Sequence, residues 1–147
     1  MRKFALIAAA VVVASSSAFA GQKQDAFAVK VKITGTCAVV APDIDFGISE
    51  TVVAGTTSAA TVTVKCSNGL AYSLALDTPT ASQMSGAIVA NTDKIAYGLA
   101  FTTSTGIGIG MGTAVVAAPH TLTATLSTAS APVADDYSQA RIVYVNY

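Results

Sequence analysis

Cysteine, histidine and paired carboxylates are the side chains on which catalysis and metal binding are most often built, and this chain offers few of them. Cys37 and Cys66 are its two cysteines. They admit a single pairing, and a disulfide between them would stabilise the fold by roughly 3.5 kcal/mol in the chain-entropy account. A metal site is the weaker alternative, because no histidine or further cysteine lies near either one. The single histidine, His120, follows Pro119 and has no carboxylate within three residues. That setting reads as a surface or capping residue at a strand edge. No serine stands in a nucleophile-elbow spacing, so with the cysteines paired no covalent nucleophile is evident.

Two acidic pairs invite acid/base chemistry: Asp43 and Asp45, alternating on one face, and the adjacent Asp135 and Asp136. Carboxylate pairs that act on sugars work in aromatic-lined clefts, and the chain has no tryptophan. Asp45, Phe46 and Gly47 match a three-letter kinase signature, but no glycine-rich nucleotide loop, lysine strand or catalytic loop accompanies them. Glycines 106, 108, 110 and 112 fall at every second position, whereas a dinucleotide fingerprint needs one at offset five, which here is Met111. The pattern predicts a strand with one face bare of side chains, where a backbone or an aromatic ring approaches closely; a glycine-rich loop is the alternative. The chain is therefore expected to be non-enzymatic, with no catalytic residue, metal or cofactor.

The elements that would carry these residues are strands. Phe27, Val29, Val31 and Ile33 alternate with Ala28, Lys30, Lys32 and Thr34, a period of two and not 3.6. The same alternation recurs over residues 61–65, 72–76, 121–126 and 141–147, with Thr and Ser on the outer faces. Turn residues separate these runs, among them Gly35, Gly55, Asn68 with Gly69, and Pro119, which predicts a sandwich of short antiparallel strands. Residues 80–90 read as a loop with one helical turn at most.

The N-terminus places the chain outside the cytosol. Arg2 and Lys3 precede a short apolar run, and Ala18, Phe19 and Ala20 supply the small residues of a cleavage site. The run is too short to span a membrane. Cleavage after Ala20 leaves six basic side chains against eight acidic ones, which gives no reason to expect a nucleic-acid partner. Only 11% of residues are charged while 52% are apolar, against about a quarter charged in ordinary soluble domains, so part of this surface is expected to be covered. The last strand is expected to run to the final residue, with Val143, Val145 and Tyr147 on one face, leaving an unpaired edge and a gap in the core. Residues 27–33, behind a polar leader, have an apolar face suited to such a gap.

The order and spacing of several motifs carry a resemblance. They are the alternating residues 27–33 followed by Cys37; Asp43, Ile44, Asp45, Phe46 and Gly47; residues 64–69 around Cys66, with Tyr72 and Asp77; residues 95–99; residues 120–124; and Tyr137 leading into the closing strand. Together they resemble the spore coat protein U family, which includes subunits of archaic (Csu-type) chaperone-usher pili, over essentially the whole exported chain. The resemblance implies an all-β, incomplete immunoglobulin-like sandwich, completed by a donor strand from a neighbouring subunit. It implies a signal peptide at 1–20, an N-terminal extension at 21–35 with the donor strand, and a sandwich at 36–147. Phe27, Val29, Val31 and Ile33 would then enter the neighbour's groove, whose C-terminal strand carries Val143, Val145 and Tyr147. The implied partners are other copies or homologous pilins, a periplasmic chaperone and an outer-membrane usher. The function implied is that of a major pilin in a surface pilus supporting adhesion and biofilm formation, with a coat protein of the same fold or a monomeric secreted binding module as alternatives.

Two residues depart from the family pattern. Arg141 shares a face with Val143 and Val145 where an apolar residue is commoner, and Asp77 is followed by Thr78 where a glycine is commoner. Either the register shifts locally there, or the apolar face formed by Ile142 and Tyr144 packs on another subunit.

Overall fold

The computed structural model describes residues 25–77 and 81–147. The expected signal peptide, the bond after Ala20 and residues 78–80 lie outside the described residues. The chain divides into two compact units, Met1–Lys32 and Ile33–Tyr147. In the first, residues 25–32 adopt no regular secondary structure.

The second unit is built wholly of strands among its described residues. They are β1 (Cys37–Val40), β2 (Thr57–Cys66), β3 (Ala71–Leu76), β4 (Ala81–Gly86), β5 (Lys94–Phe101), β6 (Thr105–Ile107), β7 (Ala118–Leu126), β8 (Tyr137–Ser138) and β9 (Val143–Asn146). A large sheet runs in the order β1-β2-β7-β5-β4-β8, and a small one in the order β6-β3-β9. Every pairing is antiparallel. The alternation legible in the sequence decides which face is buried. Val62, Val64 and Cys66 of β2, Leu122, Ala124 and Leu126 of β7, and Ile95, Tyr97 and Leu99 of β5 point inward to meet Tyr72 and Leu74 of β3. The intervening threonines of β7, Thr121, Thr123 and Thr125, face the opposite way.

Two covalent or polar fasteners hold the ends. Cys37 and Cys66 face each other across the β1–β2 ladder and form the expected disulfide, closing a loop of sequence separation 29. Tyr137 Oη donates to the carbonyl of Val133, 2.9 Å away, four residues upstream in the connection that leaves β7. The bond resembles the tyrosine corner of immunoglobulin-like sandwiches, and here it pins the connection between β7 and β8, both strands of the large sheet.

Three expectations are corrected. Residues 81–86 are not a loop with a helical turn but β4, whose Met84 packs on the core and which is held between β5 and β8. The final strand stops at Asn146, and Tyr147 lies beyond it, 62% exposed. His120 is no surface residue: it sits within β7 opposite Val62 and is 4% exposed. Its Nδ1 lies 2.9 Å from the carbonyl of Thr103, which can only accept, so the proton is on Nδ1. Nε2 then accepts from the Tyr72 hydroxyl at 2.8 Å, and a histidine that burial would penalise is fully satisfied.

Candidate assembly site

A sheet edge exposes unpaired N–H and C=O groups, and four strands here are edges: β1 and β8 of the large sheet, β6 and β9 of the small one. The two residues of β8 and three of β6 offer little to a partner. β1 and β9, four residues each, lie near one another but belong to different sheets and share no ladder. The seam between them is where the sandwich is open.

Apolar side chains stand on both sides of the seam. Inward residues of the interior strands are almost wholly covered, Val62 at 0% and Val64 at 2% exposed. Their equivalents on the seam, Cys37 and Val39 of β1 and Val143 and Val145 of β9, touch the core yet stay only half-buried. The core therefore ends at the seam in half-buried apolar side chains, as it also does at Leu76, Met84 and Phe101 elsewhere on its rim. Of the residues expected to line a groove, Val143 and Val145 thus stand at the seam, while Tyr147 lies past the end of the strand. Sequence alone missed Val39, which the pairing with Val64 places on the opposite wall of the seam from β9.

Arg141 anchors β9. The alternation through residues 141–145 is unbroken, so no register shift occurs, and Arg141 points inward. Its Nε donates to Asp77 Oδ1 at 2.8 Å, just beyond the end of β3, and its guanidinium also reaches Ser82 Oγ of β4 and Tyr97 Oη of β5. The departure at Arg141 is therefore accommodated by an ion pair with Asp77, a residue of the family pattern, that ties the lead-in of β9 to both sheets; Thr78 lies outside the described residues. Burial alone would lower the pKa of the guanidinium, but its bonds to Tyr97 and Asp77 hold it above the ordinary value. Ile142 and Tyr144 face outward, 52% and 49% exposed.

The glycine pattern also has its physical cause here. A Cβ on Gly106 of β6 would run into the phenol ring of Tyr72, and one on Gly108 would collide with the carbonyls of Ser67 and Cys66. An aromatic ring and a backbone both approach, as expected, although the strand covers only residues 105–107 and a loop follows.

One carboxylate of each acidic pair is put to structural use. Asp45 accepts from the Gly47 amide at 2.7 Å in a turn. Asp135 accepts from the Asn91 side chain at 2.9 Å and the Ile88 amide at 2.9 Å, and those bonds hold its carboxyl below the usual range. No group of three or more metal-type ligands gathers among the described residues. No helix of the described residues is long and apolar enough to cross a membrane.

The remaining expected residues, Phe27, Val29, Val31 and Ile33, are 87%, 89%, 86% and 83% exposed. Four consecutive odd-numbered apolar side chains exposed to this degree are unusual, since water is a poor environment for a continuous apolar row. Among known proteins, the family model of the Spore Coat Protein U domain matches residues 23–142. No curated protein and no solved structure matches the chain.

Proposed function

Because the chain belongs to the Spore Coat Protein U domain family, we propose that it is a structural pilin, assembled by the chaperone-usher pathway through donor-strand exchange. In this reading the seam between β1 and β9 accepts residues 27–33 of another copy. The observation that carries it is the match between half-buried apolar side chains on each side of the seam, Val39 on one and Val143 and Val145 on the other, and an exposed apolar row of the same period on the same chain. An added strand would pair with the free edge of β9 while its apolar side chains complete the core.

The apolar row supplies a driving force for assembly. Burying four side chains at about 1.5–3 kcal/mol each yields roughly 6–12 kcal/mol before the costs of association and ordering are subtracted. In this reading residues 1–20 are removed on export, residues 21–35 form the donating extension, and residues 36–147 form the accepting sandwich. A periplasmic chaperone occupies the seam until the next subunit replaces it, and an outer-membrane usher carries the fibre to the cell surface. A stalk position is favoured over a tip, because the described strands form a single sandwich, with no second domain among the described residues.

Val31→Asp tests the proposal. A carboxylate buried without a partner costs several kcal/mol, so the variant should be unable to donate while its own sandwich stays folded. Electrophoresis of unboiled surface material should show ladders for the parent protein, collapsing to monomer on heating, and none for Val31→Asp. Normal ladders from the variant would refute the assignment of the donor. Electron micrographs showing amorphous layers in place of fibres would move the protein from pilus to coat while keeping the strand exchange.

A further inference from the structure

The donor segment presents a second face, and it is charged: Lys30 and Lys32 alternate with the apolar row and are exposed. We propose that these two lysines are specificity determinants of strand exchange, admitting the segment to the seam of another sandwich and rejecting a second donor segment. The proposal rests on the reading of residues 27–33 as the donor.

The problem the lysines solve is one of self-pairing. Phe27, Ala28, Val29, Val31 and Ile33 make an exposed, β-prone run with no proline, which is the composition that pairs with copies of itself into cross-β material. Side-chain parity constrains every such pairing, since an apolar row meets an apolar row only if odd residues oppose odd ones. The fullest antiparallel register then sets Phe27 against Ile33 and Val29 against Val31, and it places Lys30 directly opposite Lys30. A slip of two residues one way sets Lys30 against Lys32 twice; the opposite slip sets Lys30 against Ala28 but leaves Ile33 without an apolar partner in the row. Parallel, in-register stacking places each lysine over its own copy. Like charges directly opposite destabilise a pair of strands, so donor–donor pairing is penalised in the registers that bury the most of the apolar row.

The seam imposes no such penalty. With the apolar row facing inward, the same parity puts the lysines beside even-numbered residues of β9 and its lead-in, namely Ile142, Tyr144 or Asn146, none of them charged. On the other wall the outward residues are Ala38 and Val40, also uncharged. On that outward face Lys65 pairs with Ala38, one strand further from the seam, and Arg141, at the lead-in of β9, points inward. Tyr144, half exposed, offers an aromatic face to an ammonium, and the lysine stems can cover Ile142.

The test uses the full exported chain in three forms: parent, Lys30→Thr/Lys32→Thr and Lys30→Glu/Lys32→Glu. Threonine keeps the strand propensity and removes the charge, so that variant should give thioflavin-positive aggregates after a severalfold shorter lag while still forming heat-labile ladders. The glutamate form should stay as clear as the parent when alone, because like faces like again. Mixed with the parent it should aggregate faster than either. High salt, which shortens the screening length to about 3 Å at 1 M, should speed aggregation of the parent and slow it in the mixture. A threonine variant no faster than the parent, or a mixture no faster than its components, would overturn the proposal. Ladder formation by Val31→Asp would instead remove the donor reading beneath it, so the two failures are separable.

Discussion

Replacing Arg141 with methionine removes a guanidinium whose side chain is 11% exposed and leaves Asp77, 22% exposed, beside the start of the seam strand without its cation. Breaking one half of a buried ion pair costs about 3–5 kcal/mol, and the residual exposure of Asp77 lowers that to about 2–3 kcal/mol. Ser82 and Tyr97 lose a charged donor in the same step. Arg141→Met/Asp77→Asn removes both charges and should recover much of the loss, because neither partner is left uncompensated. The assay is urea unfolding of the two single variants, the double variant and the parent. With a denaturant slope of about 1–3 kcal/mol per molar, Arg141→Met should lower the midpoint by about 1 M. The coupling across the cycle should exceed 1 kcal/mol. Additivity within about 0.5 kcal/mol would refute the claim that the pair acts as a unit. Because Arg141 leads directly into β9, the single variant should also assemble less well than the double.

Two further outcomes follow from close contacts and burial. Gly108→Ala forces a Cβ onto the carbonyls of Ser67 and Cys66, the latter at 2.6 Å, and neither backbone can yield without disturbing the disulfide strand, so thermal unfolding should show a loss of about 3 kcal/mol or more. Gly112→Ala meets nothing closer than Val115 at 3.6 Å and should unfold within about 0.5 kcal/mol of the parent. Burial holds the Tyr72 phenol above its ordinary value of 10.0. Its neutral form is therefore favoured in the folded state, and the contribution is complete below that value and lost as pH rises through the higher folded one. Tyr72→Phe should flatten the alkaline fall in melting temperature, while lowering stability at neutral pH because the Nε2 of His120 loses its donor.

Local information determined much of this protein. A period of two along residues 61–65, 72–76 and 121–126 is enough to choose strands and to say which side chains face inward, because successive side chains of an extended chain must point to opposite faces. Two cysteines allow a single disulfide. The glycines at 106 and 108 announced a close approach, though not what would approach. What the sequence could not contain was partnership at long range. Residues 81–86 lack apolar alternation, and they become a strand only because β5 and β8 flank them. His120 reads as a surface residue until folding brings Tyr72 and the carbonyl of Thr103 to its two nitrogens. Arg141 looks like an oddity in an apolar face until folding brings it to Asp77, 64 positions away. The seam itself exists only between edges of different sheets, so no stretch of chain records it. Hydrogen bonds and charge pairs depend on positions in space, and in a Greek-key sandwich those positions are set by strands far apart in sequence.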